Sequence, residues 1–83
     1  MAKVPVPSVR LFASLRELAG ASRVQAEGAT VGEVVEALAV RYGERFGDIA
    51  RSGSFVVDGE RAGADVRLSG DEEVALLPPV SGG

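Results

Sequence analysis

One stretch of this chain, TVGEVVEALAVRYG (Thr30 to Gly43), carries the period of a long amphipathic helix, while the apolar stretches on either side alternate with the period of strands. Val31, Val34, Val35, Leu38 and Tyr42 recur every three or four residues and form one apolar stripe, with Glu33, Glu36 and Arg41 on or near the wet side. Thr30 followed three residues later by Glu33 is a capping box for the free amides of the helix start, and Gly43 predicts its end. A chain of 83 residues with one principal helix builds a single core by laying that helix across a sheet.

The strands follow from alternation and from turn chemistry. In SVRLFA (Ser8 to Ala13), Val9, Leu11 and Ala13 fall on one face, Arg10 and Phe12 on the other, and Pro5 and Pro7 mark the start. SLRELAG (Ser14 to Gly20) predicts a turn or two of helix closed by Gly20, before SRVQAE (Ser22 to Glu27) alternates again. ERFGDIARSG is irregular, a loop or short helix pinned by Phe46 and Ile49. SFVVDGERAG reads as a strand running into an Asp58-Gly59 turn, and VRLSGDEEVALLP as a Gly70-Asp71 turn leading to a last strand, Glu73 to Leu77, ended by Pro78 and Pro79. With the first and last strands parallel and joined by a long crossover, this order gives an α+β fold of the β-grasp type: a mixed sheet crossed by one main helix. Residues 1–77 are expected to form the domain and residues 78–83 an extended tail.

Composition removes most side-chain chemistry. There is no cysteine and no histidine, hence no disulfide, no thiolate and no imidazole base. Ser14, Ser52 and Ser81 therefore have no base to activate them, and a metal site is not expected. The net charge is −3, with the nine basic residues (Lys3, Arg10, Arg16, Arg23, Arg41, Arg45, Arg51, Arg61, Arg67) scattered rather than striped, which argues against nucleic acid as a partner. No run approaches the roughly 20 apolar residues of a membrane span, and MAKVPVPSVR lacks a secretory apolar core, so a cytoplasmic protein is expected. Asp71, Glu72 and Glu73 read as a solvated turn, and Asp58 as a turn former beside Gly59.

The end of the chain, PPVSGG, is a different kind of feature. Two prolines stiffen its base toward an extended conformation, and six residues from Pro78 to Gly83 reach about 20 Å. Glycine at the last two positions passes a channel that a Cβ would block and leaves the terminal carbonyl unhindered. The reactive group is then the terminal carboxylate, a poor electrophile until a partner activates it, for instance by adenylation from ATP before capture by a sulfur nucleophile. If Val74 and Leu76 face the core, Leu77 faces out beside Phe12, and the two form an apolar patch next to the tail; alternatively Phe12 packs against the SLREL turn.

LLPPVSGG, with LSGDEEVA before it and RLFASLRELAG near the start, resembles the small subunit of molybdopterin synthase, a sulfur carrier with the β-grasp fold of ubiquitin, over about Val9 to Gly83. The resemblance implies that Gly83 is adenylated by an activating enzyme of the ubiquitin-activating type. It is then thiocarboxylated with sulfur from a desulfurase or sulfurtransferase, the chain itself binding no cofactor. It further implies that Val80, Ser81 and Gly82 line a channel in the large synthase subunit, in a heterotetramer where sulfur passes to a cyclic pyranopterin precursor. Phe12, Leu77, Pro78, Pro79 and Arg16 would be the partner interface. Two other readings stand beside it. Related carriers serve thiamine, transfer-RNA thiolation or cysteine synthesis, or are conjugated to proteins, and a β-grasp interaction module would use its tail for nothing covalent.

Overall fold

The computed structural model describes residues 3–80. Five strands, β1 (Ser8–Leu11), β2 (Arg23–Gln25), β3 (Ser54–Val57), β4 (Glu60–Ala62) and β5 (Glu73–Leu77), form one sheet in the order β2-β1-β5-β3-β4. The central pair β1 and β5 is parallel, with Val9 opposite Val74 and Leu11 opposite Leu76; the other pairs are antiparallel. Three helices, α1 (Ala13–Ala19), α2 (Val31–Tyr42) and α3 (Glu44–Ser52), complete the chain. A parallel pair with α2 in its crossover is the β-grasp arrangement of ubiquitin.

The capping box forms as the sequence predicts. The Glu33 amide donates to Thr30 Oγ1 at 3.2 Å, and the Glu33 carboxylate reaches back to the Ala29 amide at 2.9 Å. Val31, Val34, Val35 and Leu38 are fully buried from α2, against Val9, Leu11, Val74 and Leu76 of the central strands. At about 1.5–3 kcal/mol for each such side chain removed from water, this interface is the main favourable contribution to the fold.

ERFGDIARSG forms a regular helix. Its Phe46 is fully buried with its ring 5.4 Å from that of Tyr42, while Ile49 is only partly buried. Arg51 near its end grips the Glu36 carboxylate through Nε and Nη2 at 2.8 and 3.0 Å, tying α3 to α2 and holding the Glu36 carboxyl below its ordinary range.

The first strand is shorter than its alternation suggests. It stops at Leu11, Phe12 becomes the N-cap of α1, and Ala13 turns to a positive φ of 49° and is exposed instead of joining Val9 and Leu11 on the core face. The reason is Leu15: the chain must turn at Phe12 and Ala13 to bring Leu15 into the core, where it is fully buried. Gly20 then closes α1 at φ 72°, its amide bonded to the Arg16 carbonyl. The second strand likewise contracts to Arg23–Gln25.

Candidate functional site

β5 decides what this molecule presents. Val74 and Leu76 are fully buried, and Glu73, Ala75 and Leu77 lie on the opposite, outer face. Strand register sets a row across that face: Arg23, Arg10, Ala75, Val56, Arg61. One level further along, Leu77 stands opposite Ser54 of β3, and Phe12 follows Leu11, the partner of Leu76. Phe12 and Leu77 are thus brought to the same end of the outer face. Both are half-buried rather than fully exposed, and both lie outside the cluster packed around the core. The Arg10 guanidinium sits 5.3 Å from the centre of the Phe12 ring, a cation-π distance. Arg16 is exposed on α1.

β5 ends at Leu77 and runs directly into Pro78, half-buried, Pro79, exposed, and Val80, which is 92% exposed. Ser81, Gly82 and Gly83, expected to be the channel contacts and the reactive terminus, lie outside the described residues. Gly53, between α3 and β3, carries no mark in the sequence of the place it takes in the fold. A Cβ there would overlap the Leu77 carbonyl and come within 3.1 Å of the Pro78 carbonyl carbon, so only glycine lets the backbone pass this close to the tail root. Its signal, a lone glycine between helix and strand, is one that many loops share.

The other end of β5 is held by polar groups. The Asp58-Gly59 turn has φ of 49° and 87°, the tight hairpin form its sequence predicts. Asp58 also accepts the Glu73 amide on Oδ1 at 2.9 Å, while its own amide donates to the Glu73 carbonyl at 3.0 Å. Glu72, expected to be a solvated turn residue, accepts from the Ser69 amide and hydroxyl and from the Gly70 amide. The Ser69 amide bond is the chief reason its carboxyl lies below the usual range, against a smaller opposing effect of burial. Glu73 instead meets Arg23 at 3.0 Å across the outer face.

Among the described residues there is no pocket, no group of three or more potential metal-ligating side chains, and no helix long and apolar enough to cross a membrane. What the fold offers is a half-apolar, arginine-flanked face at the end of which the chain leaves β5 through Pro78.

The family model that matches, ThiS, spans residues 9–83, from the first core residue of β1 to the terminal glycine pair. The chain belongs to the ThiS family. A comparison with curated proteins finds no match. Among solved structures, small archaeal modifier protein 1 from Methanosarcina acetivorans is 27% identical, with 99% of this chain and 100% of that one covered and a TM-score of 0.85. The Haloferax volcanii protein of the same name is 30% identical, covering 94% and 99%, at a TM-score of 0.74. The Pyrococcus furiosus protein assigned as molybdopterin converting factor, subunit 1, is 28% identical, covering 92% and 99%, at 0.76. These ThiS-type relatives share the ubiquitin-like β-grasp fold of the sulfur carriers, and this chain has that fold.

Proposed function

We propose that this chain is the sulfur-carrier subunit of a molybdopterin synthase, acting in the cytoplasm. The observation that carries the proposal is that the central strand β5 runs directly into Pro78 and Pro79, with Phe12, Leu77 and Val80 at that end, in a chain whose family match extends to Gly83. In this reading an activating enzyme transfers adenylate from ATP to the Gly83 carboxylate, with pyrophosphate leaving. A persulfide supplied by a desulfurase or sulfurtransferase displaces AMP to give an acyl disulfide, and a thiol reductant then cleaves its S–S bond, leaving the thiocarboxylate on Gly83 and a disulfide as the oxidised product. The tail then enters the large synthase subunit, Val80, Ser81 and Gly82 contacting its channel, and sulfur passes to the pyranopterin precursor.

The chain's own residues bind and orient. Leu77, Phe12, Pro78 and Pro79 anchor the domain outside the partner's channel, Gly53 sets the direction in which the tail leaves, and Arg16 contributes a charge at the rim. The test is reconstitution: thiocarboxylated chain combined with candidate large subunits and precursor, followed by detection of the dithiolene product. Turnover with a thiazole-forming, cysteine-forming or transfer-RNA-thiolating partner instead would redirect the cargo while keeping the carrier chemistry.

A second reading draws on the modifier proteins at 27% and 30% identity. In it the adenylated Gly83 is captured by a lysine amine of a target protein, forming an isopeptide. Tryptic fragments bearing the C-terminal remnant on target lysines would mark that use. If neither thiocarboxylate nor conjugate forms in a host with the pathway, the tail has no covalent role.

A further inference from the structure

Charge is divided unevenly between the surfaces of this molecule. Every charged side chain lies within residues 3–80. Register puts Arg10, Arg23, Arg61 and Glu73 on the outer face of the sheet, three cations and one anion, so the strands give that face a charge of +2. The whole chain carries −3, which leaves −5 on the rest of the surface. Glu73 pairs with Arg23 at 3.0 Å, and Arg10 and Arg61 have no ion-pair partner among the described residues.

These two arginines share a direction. They stand in one row with Ala75 and Val56 between them, three strand spacings or about 14 Å apart. Arg10 leans over Phe12, its guanidinium 5.3 Å from the ring centre, and Arg61 reaches toward the hydroxyl of Ser54 at 3.5 Å. Ser54 is the register partner of Leu77, and Phe12 follows β1 on the other side of β5. The two guanidinium groups therefore lean toward the Leu77 end of the face from either side, with half-buried Ala75 and Val56 as an apolar floor between their backbones. Their present contacts are weak: an exposed cation-π pair contributes about 0.5–1 kcal/mol, and the hydrogen bond is at the upper limit of length.

We propose that Arg10 and Arg61 make this face a docking surface for an acidic partner protein, which sets an apolar side chain on Leu77 and a carboxylate against each guanidinium. Here the partner is the large synthase subunit of the carrier reading above, on which this assignment rests. The surface is continuous with the Phe12 and Leu77 patch and gives that patch a sign. A guanidinium binds a carboxylate through two parallel N–H bonds, and a positive face on an otherwise acidic molecule orients the encounter and rejects partners of like charge. A nucleic acid suits the face less well, because two cations over an apolar floor neutralise few phosphates and the acidic remainder repels an extended polyanion.

The test measures binding of the full chain to its cognate large subunit by calorimetry and stopped flow at about 50 and 500 mM salt. The outer-face reversal Arg10→Glu, Arg61→Glu is compared with wild type and with Arg41→Glu, Arg45→Glu, which changes net charge equally at exposed positions of α2 and α3. A neutral pair, Arg10→Gln, Arg61→Gln, takes the place of the reversal if the latter does not fold. The outer-face reversal is expected to weaken affinity at least about tenfold at low salt and to lose most of the salt dependence of wild type, with the helical reversal within about twofold of wild type. Undiminished affinity in the outer-face variant, or an equal loss in both reversals, would overturn the role of the arginine pair and leave the cargo reading standing. A wild type that binds no large subunit would overturn the cargo reading and the partner named here together. An oligonucleotide bound by wild type and lost from the outer-face reversal would overturn the assignment to a protein and give the face to nucleic acid.

Discussion

The two ends of β5 are built on different principles. Where the strand begins, Asp58 and Glu72 hold it with charge-assisted hydrogen bonds to the backbone amides of Glu73, Ser69 and Gly70. Where it ends, no side chain among the described residues caps the departing backbone in this way. Close approach of Gly53 sets its course, and half-buried Phe12 and Leu77 with open Val80 lie around it. One end spends its side chains on the chain's own backbone, and the other leaves them for something else. Substitutions at the first end should therefore change stability and spare partner binding, with the reverse at the second.

The strongest break in that comparison comes from the tail itself. Deleting Gly83, or adding one residue after it, should abolish loading and sulfur transfer completely, measured as loss of the thiocarboxylate mass, while thermal stability stays unchanged. Next is Leu77→Asp, which should weaken binding to the large subunit by at least about tenfold, or roughly 1.4 kcal/mol, at nearly wild-type melting temperature. Calorimetric titration measures this, and unaltered affinity would remove the patch from the interface. Asp58→Ala at the opposite end should do the converse. It places a Cβ-bearing residue without a polar side chain at φ 49° and leaves the Glu73 amide to water, costing about 1 kcal/mol in denaturant unfolding with affinity intact.

The sequence made the inner face easier to read than the outer one. The stripe of α2 and the alternation of β5 are periodic because each of those side chains meets the same core, so the helix, its cap, the parallel central pair and the Asp58-Gly59 hairpin could all be read from local pattern. Ala13 could not, because its fate depends on Leu15 needing a place in the core two residues later. Glu72 reads from the sequence as a solvated turn residue because a carboxylate bonding backbone amides two and three residues earlier leaves no periodic trace. Gly53 matters through a contact with Leu77, 24 positions away in the sequence, which no local window contains. The juxtaposition of Phe12 with Leu77 could be read only because parallel pairing of β1 and β5 fixes their register; that both are half-buried depends on the twist and neighbours of the finished sheet.

The smallest expected effect lies at the turn end and depends on pH. The carboxyl of Glu72 is held below its ordinary value of 4.5, chiefly by the Ser69 amide, so its ionised form is favoured in the folded chain. A lowered folded value means a stabilising contribution fully present above the unfolded pKa and lost as pH falls through the folded one. Glu72→Gln keeps an acceptor oxygen but removes the titration, so at neutral pH the variant should melt slightly below wild type. Between about pH 6 and pH 3 the wild type should lose more stability than the variant, and the two curves should converge. The Glu36 carboxyl, lowered by Arg51, titrates in both proteins and cancels in the difference. A gap between the two curves that stays constant through that range would mean the Ser69 and Gly70 amides are held equally well by a neutral side chain, and the turn end of β5 would owe its order to shape and not to charge.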